Sequence, residues 1–354
     1  MLNKEYKVIG VMSGTSLDGI DLVCVTFVFA DTWEFEIHEF ETVKYNSDWT
    51  TKLKDLVQFS PQELNTVDEE YTLYLSEIIN AFVEKYNIKE IDAICSHGHT
   101  ALHQPDKGIT YQIGNLPKLS SLLKQNVVCD FRIQDVELGG QGAPLVPIGD
   151  ELLFSEYDFC INLGGFANIS TKENSQRIAY DICPVNIVLN FYIRKLGLDF
   201  DNKGVLASSG NINHSLLNEL NALDFYTLNP PKSLGLEWVN ETIFPLIDSY
   251  NLQTKEILRT YVEHVSYQIS EQVENNESWK ILVTGGGVFN SFLMERIKAT
   301  TKAGIVIPSK EIIEYKEALI FGFLGVLKLR NEINCLSSVT GAKQDHSSGK
   351  IFYA

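Results

Sequence analysis

The sequence predicts an α/β protein of two halves laid out on one plan. Two observations carry this prediction, and a third hints at its purpose. Residues 8–25 and residues 159–170 each read as strand, glycine-containing turn, strand. Each opening is followed by strand patterns mixed with helical ones, as in a layered α/β domain. A third glycine cluster, Gly285-Gly286-Gly287, stands between an apolar run and a helical pattern. Three such turns at strand ends suit a nucleotide held in a cleft between two α/β lobes.

The first turn holds Gly14, Thr15, Ser16, Leu17, Asp18 and Gly19 between β-branched runs, with Ile20 and Asp21 leading out. Glycine lets backbone N–H groups approach a ligand, and successive turn amides can form an anion nest. Asp18 and Asp21 then have the chemistry to hold a metal ion or a substrate hydroxyl. An ordinary Gly/Ser hairpin turn has the same composition. A third strand follows at Phe35–Phe40, then two helices. The second helix starts with Ser60 at N-cap, Pro61 at N1 and Glu63 at N3, a capping box, and runs to about Asn87. Ile91–Ser96 reads as a buried strand that ends at Ser96-His97-Gly98-His99-Thr100. Further strands are expected at Ile109–Ile113 and Val127–Arg132, with a short helix at Leu116–Lys124 between them.

The small-residue loop from Gly139 to Pro147 is the expected crossover. It divides the chain into a first lobe, 1–147 with 331–354, and a second, 148–330. The second lobe opens at Phe159, with Asn162, Gly164 and Gly165 in its turn. Ile178–Asn186 and a helix at Ile187–Leu196 come next, then a rigid loop, Pro230–Gly235. A long helix is expected at Lys255–Glu274 and a strand at Lys280–Thr284. Asn290 is placed to cap the following helix. The last helix is expected at Lys316–Arg330.

The chain has 354 residues, 44% hydrophobic and 21% charged, which is ordinary for a globular protein. Its formal net charge of −17 repels phosphate backbones and anionic bilayers, so neither nucleic acid nor membrane is an expected partner. No apolar run reaches spanning length and the first residues are polar, so no signal peptide is expected. Six singly spaced cysteines with no C-x-x-C read as reduced thiols of a cytoplasmic protein.

No Walker motif or dinucleotide fingerprint is present. His97, His99 and His103 allow a metal reading, though hydrogen bonding to a polar ligand is the commoner use of such a strand-end pair. Asp181, at the end of an apolar strand, is either a turn former or a general base facing a cleft. Glu317 either complements a helix dipole or meets a ligand. Arg132 can bind a carboxylate bidentately or make a structural ion pair.

Taken together, these motifs resemble the anhydro-N-acetylmuramic acid kinase family. The match includes the stretch from Gly10 to Asp21, Ser96-His97-Gly98, Asp130-Phe131-Arg132 and the stretch from Gly139 to Pro144. It continues with Asn162 to Gly165 and Asn168, Pro231-Lys232-Ser233, Gly285 to Gly287 with Asn290, Glu317-Ala318 and Thr340-Gly341-Ala342. The resemblance implies a two-lobed actin/hexokinase/Hsp70-like fold, a duplicated ribonuclease H-like unit with ATP in the cleft. Gly14 to Asp21 would be the first phosphate loop, Asn162 to Gly165 the second, and Gly285 to Gly287 with Asn290 the adenosine loop. Asp181 would be the catalytic base. Asp18, His97, Arg132 and Glu317 would contact the amino sugar, and Asp18 would help hold Mg²⁺. A homodimer is also implied. The chain departs from the family's Asp-Thr-Gly-Pro-Gly-Asn pattern at Ile182, Cys183 and Val185. It carries His99 where the family usually has Gln, and Leu236 where it usually has Arg.

Overall fold

The computed structural model describes residues 4–273 and 276–354, and it divides into two units. Unit 1 comprises Met1–Phe154 and Tyr315–Ala354; unit 2 comprises Ser155–Glu314.

Unit 1 is built on β1 (Glu5–Ser13), β2 (Ile20–Phe29), β3 (Trp33–Val43), β4 (Ala93–Gln104), β5 (Ile109–Ile113) and β6 (Val127–Cys129). Its main sheet runs β6-β4-β1-β2-β3, with β5 paired to β4 and a final strand, Lys350–Phe352, beside β6. β1, β4 and β6 are parallel, while β1, β2 and β3 form an antiparallel meander. The centre of β1 is apolar and buried from Val8 to Met12, as a strand covered on both faces must be. The helix Pro61–Lys85 begins with the expected box. Ser60 Oγ accepts from the Glu63 amide and Glu63 returns a carboxylate to the Ser60 amide. Its Leu64, Tyr71, Leu75, Ile79 and Phe82 pack into the apolar cluster with Ile9, Leu22 and Ile94.

Unit 2 repeats the plan with β7 (Phe159–Leu163), β8 (Phe166–Glu173), β9 (Gln176–Pro184), β10 (Lys280–Thr284) and β11 (Gly304–Val306). The order is β11-β10-β7-β8-β9, with β7, β10 and β11 parallel and β7, β8 and β9 antiparallel. Order and strand direction therefore match the five main strands of unit 1. The duplication expected from two hairpin openings is present in topology without a residue-level repeat.

Several boundaries differ from expectation. β4 does not stop at Ser96 but runs to Gln104, because β5 folds back on it and pairs His99 with Ile113 and His103 with Thr110. β6 ends at Cys129; Asp130 turns left-handed and Arg132 stands at the start of a short helix, Ile133–Glu137. The long helix of unit 2 is Thr254–Gln272, and Glu274 lies outside the described residues. The helix expected at Lys316–Arg330 starts earlier, at Lys310, and reaches Leu329, and a short helix, Ser337–Thr340, follows it.

The unit boundaries also move, to 154/155 and 314/315 instead of 147/148 and 330/331. The reason is packing. Gly149 of the helix Pro147–Leu153 lies against Ile320, and the helix Lys310–Leu329 lays Ala318 and Gly322 on Gly10 of β1 and Gly325 on Cys95 of β4. All six cysteines are buried and outside any disulfide, and no helix among the described residues is long and apolar enough to cross a membrane.

A Cβ at Gly10 would collide with the Ala318 carbonyl oxygen and lie 2.9 Å from its carbon. Backbone, unlike a flexible side chain, cannot swing aside. Gly10→Ala is therefore expected to lower stability by about 1–3 kcal/mol in a urea unfolding titration.

Candidate active site

In unit 2, parallel pairing of β7 with β10 sets Thr284 beside Asn162. The turn after β7 and the glycine cluster after β10 consequently leave the sheet at the same end. Ligands of α/β sheets gather outside the carboxyl ends of parallel strands. The two loops also touch. Gly285 has φ +83°, and a Cβ there would strike Asn162 Oδ1 and lie 2.8 Å from the Leu163 carbonyl carbon. Only glycine permits that approach.

The second loop is held from below. Asn186 Nδ2 donates to the carbonyls of Leu163 (3.2 Å) and Gly164 (2.7 Å). The amides of Val185 and Ile187 donate to Gly165 O at 2.8 and 3.2 Å. The loop carbonyls thus cap the helix Asn186–Arg194, satisfying orphan amides of its first turn. The third loop is a 3₁₀ turn, Gly286–Phe289. Asn290 follows and caps the helix Ser291–Thr300, its Oδ1 accepting from the Leu293 amide at 3.1 Å.

Cross-strand register places Asn162, Asn168 and Asp181 opposite one another on β7, β8 and β9. Paired residues of neighbouring strands share a face, so this is a polar row along one edge of the unit 2 site. Asp181 is half-buried on the outer strand. Its backbone amide donates to Lys232 O (3.0 Å) and its Oδ2 accepts from the Leu234 amide (2.8 Å). The rigid loop Pro230–Gly235 thereby fixes the carboxylate. Burial raises the Asp181 pKa above the ordinary carboxylate range, and the Leu234 hydrogen bond pulls part of the way back. An oriented carboxylate with raised basicity suits proton abstraction.

The family-atypical stretch after Asp181 does not enter this edge. Ile182, Cys183, Pro184 and Val185 are all buried, and Ile182, Cys183 and Val185 belong to the unit 2 core. Leu236 is instead exposed, and the backbone of this loop, not a side chain, meets Asp181.

In unit 1, His97, Arg132 and Glu317 come together around Phe321. Arg132 Nε donates to His97 Nε2 (2.9 Å), and its Nη1 donates to Gly142 O (2.6 Å). His97 Nδ1 lies 2.9 Å from Gly98 O. A carbonyl accepts only from N–H, so His97 is neutral with its proton on Nδ1. Burial holds the His97 pKa well below the usual range, and the Arg132 charge lowers it further. The Phe321 ring lies 4.7 Å from that of His97 and 5.9 Å from the guanidinium carbon. Glu317 sits one helical turn before Phe321, on the same helix face. It is open to water, but the protein around it raises its pKa, against the opposing pull of Arg132 and Lys316; Asp18 adds to the rise. Asp18 itself is exposed in the first turn, where its Oδ1 accepts from Ser16 Oγ at 2.7 Å. The four expected sugar contacts, Asp18, His97, Arg132 and Glu317, thus share one region of unit 1.

The first turn spans Gly14–Gly19, with Leu17 left-handed and its amide bonded to Gly14 O at 3.3 Å. Leu17 packs on the unit 1 core. Ile20 and Asp21 lie in β2 instead of the turn; Ile20 is fully buried and Asp21 Oδ1 accepts from Thr42 Oγ1 on the neighbouring strand at 2.6 Å. The metal reading of the histidines fails on geometry. His97 spends both ring nitrogens on Arg132 and Gly98, and His99 Nδ1 pairs with Ser13 Oγ at 2.7 Å. Burial brings the His99 pKa down to about 4. Among the described residues, metal-ligating atoms converge elsewhere, at Asp135, Cys335 and His346.

Sequence reasoning did not single out Asn186 as the clamp of the second loop or Asn168 as a member of the polar row. Period-two alternation put Asn168 on the face away from Ala167 and Ile169, but its partners depend on register. Asn186 carried no local signal, since its acceptors lie about 22 residues earlier.

A family model described as anhydro-N-acetylmuramic acid kinase matches residues 6–354. The chain is 34% identical over 389 residues to the anhydro-N-acetylmuramic acid kinase of Haemophilus influenzae, covering 99% of both chains. It is 32% identical over 364 residues to that of Vibrio cholerae, covering 98% of both. Among solved structures it is similar to an activator of 2-hydroxyisocaproyl-CoA dehydratase from Clostridium difficile with bound ADPNP (TM-score 0.43, 12% identity, 92% of this chain and 96% of that one). It is also similar to a ROK family glucokinase from Streptomyces griseus with glucose and AMPPNP (TM-score 0.40, 10% identity, 90% and 99%).

Because the Arg132 cation helps keep His97 neutral, Arg132→Ala is expected to move the His97 pKa upward, toward but short of about 6.5. The imidazole ¹⁵N shifts, followed across pH, read this directly.

Proposed function

The chain belongs to the anhydro-N-acetylmuramic acid kinase family, and from that membership and the site geometry we infer that it opens 1,6-anhydro-N-acetylmuramic acid with water and phosphorylates O6 from ATP. The products are N-acetylmuramic acid 6-phosphate and ADP, a step in cell-wall recycling. The observation that carries this reading is Asp181, a carboxylate of raised basicity fixed by a backbone amide beside the second glycine loop.

Asp181 takes a proton from water as the water oxygen bonds to the anomeric carbon. The C1–O6 bond breaks and its electron pair passes to O6. O6 then attacks the γ-phosphorus, and the bond to the bridging oxygen of ADP breaks. The proton on Asp181 leaves to solvent, which balances the cycle. In unit 2, Asn162, Gly164 and Gly165 form the second phosphate loop, kept in shape by Asn186, and Gly285, Gly286 and Gly287 take the adenosine side. Asn290 supports that loop as a helix cap. In unit 1, Gly14–Gly19 forms the first phosphate loop.

Arg132 takes the lactyl carboxylate of the sugar, a local cation in a strongly acidic protein. His97 keeps the guanidinium in place, and Glu317 accepts from sugar hydroxyls. The exposed Asp18 carboxylate is a hard oxygen donor that fits Mg²⁺, which prefers one or two carboxylates together with substrate phosphates. Mg²⁺ would neutralise charge on the transferred phosphoryl group. The reading extends to a cytoplasmic homodimer, supported by the reduced thiols and the family resemblance. A catalytically weak binder of the same fold loses its motive, because the atypical residues after Asp181 turn into the core.

Asp181→Asn is expected to lower kcat by about 10²–10⁴-fold in a coupled ADP-release assay, with the KM for ATP little changed. The base must be ionised, and its folded pKa is raised. The acid limb of kcat/KM should therefore lie above about pH 3.9, with activity lost as pH falls through that raised value. Wild-type protein with no sugar-dependent ADP release would remove the reading altogether. Arg132→Ala should raise the KM for the anhydro-muramic substrate by about tenfold or more, yet change little with the anhydro-N-acetylglucosamine analogue, which has no lactyl carboxylate.

A further inference from the structure

Away from these loops, unit 1 gathers three side chains of metal-binding type at one buried point. Asp135 is fully buried, Cys335 is 2% exposed and His346 6%. Their ligand atoms all lie within 4.8 Å of one another. Cys335 and His346 are direct antiparallel bridge partners, each amide donating to the other's carbonyl, so their side chains meet on one side. Asp135 Oδ1 is 3.1 Å from Cys335 Sγ and 3.6 Å from His346 Nε2.

The proton inventory at His346 decides how this cluster is read. His346 Nδ1 lies 3.0 Å from the Gln344 carbonyl oxygen, so Nδ1 carries the hydrogen. In a neutral ring Nε2 is then a lone pair. That lone pair has no hydrogen-bond partner among the described residues and faces a carboxylate oxygen. Asp135 Oδ1 already accepts from Thr340 Oγ1 at 2.7 Å, and Oδ2 accepts from the Gly142 amide at 2.7 Å. Two electron-pair donors that face each other in a dry interior need a proton or a metal cation between them, and at 3.6 Å the two atoms stand too far apart for a direct hydrogen bond.

We propose that Asp135, Cys335 and His346 form a site for a borderline-soft divalent metal of the zinc class. Carboxylate oxygen, thiolate sulfur and imidazole nitrogen are all ligands zinc takes, at about 2.0–2.3 Å each, and a water completes the tetrahedron. Binding replaces the Cys335 S–H bond with a metal–thiolate bond, and the displaced proton leaves to solvent. Thr340 and the Gly142 amide stay on the Asp135 carboxylate and hold its orientation. The ion ties the segment 335–346 to the loop around Gly142, whose carbonyl holds Arg132. The site is independent of the kinase reading.

The test is a cobalt titration of chelator-treated, full-length protein under reducing conditions. A stoichiometric thiolate-to-cobalt charge-transfer band with tetrahedral visible absorption is expected, displaced by zinc. Cys335→Ser should lose the charge-transfer band, and His346→Ala should weaken cobalt binding by about tenfold or more. A folded wild-type protein, checked by circular dichroism, that shows no such band in excess cobalt overturns the proposal and leaves an imidazolium–carboxylate pair. A band that survives in Cys335→Ser overturns it equally, because another thiol would then be the ligand. The wild-type measurement decides even if a variant fails to fold.

Discussion

Each unit depends on one pairing: the first strand of its opening hairpin lies parallel to a strand that returns much later in the chain. β1 pairs with β4 in unit 1, and β7 pairs with β10 in unit 2. A parallel pair sends both following loops out of the same sheet end, which a hairpin cannot do. In unit 2 this brings Asn162–Gly165 against Gly285–Gly287 across 120 residues of chain. In unit 1 it places Ser13 opposite His99, and the stretch from Ser96 to His99 beside the first turn. Without that pairing the glycine turns would be ordinary connections.

The polar groups of the site are held by backbone more than by other side chains. Asp181 leans on the Leu234 amide, Arg132 on the Gly142 carbonyl, and His97 on the Gly98 carbonyl. Backbone supports of this kind tolerate changes in neighbouring side chains. That explains how Ile182, Cys183 and Val185 can replace smaller or polar residues of the family pattern. They fill the core, while the Asp181 carboxylate keeps its support. Lys232, whose pKa is lowered by burial, donates to Phe225 O and stacks on the Phe225 ring, so it anchors the same loop and does not neutralise Asp181.

Much of the fold was legible from local rules. The Ser60 capping box, the Asn290 cap and the two strand–turn–strand openings all depend on neighbours a few residues apart. The start of the helix Lys310–Leu329 also carried a local signal, Pro308-Ser309 directly before it, which the expected start at Lys316 passed over. The end of β4 was not legible, because it is lengthened by its hairpin with β5. The domain boundary was misplaced for a related reason: Gly149 and Ala318 reveal their partners only when helix and sheet meet.

The sequence by itself determined the residue types of the site, their order and the family. Asp181, the three glycine turns, His97, Arg132 and Glu317 could all be named from local composition and resemblance. Tertiary structure alone decided which of them meet. Register aligned Asn162, Asn168 and Asp181; parallel pairing joined two of the glycine loops; β2 took Asp21 out of the first turn and onto Thr42. Tertiary structure also turned two histidines away from a metal reading and gathered Asp135, Cys335 and His346 instead. The physical reason is common to all of these. Side-chain identity and backbone propensity are local, whereas strand register, burial and the donor or acceptor facing a given atom are set by other segments, from 21 residues away for Asp21 and Thr42 to 200 for Asp135 and Cys335.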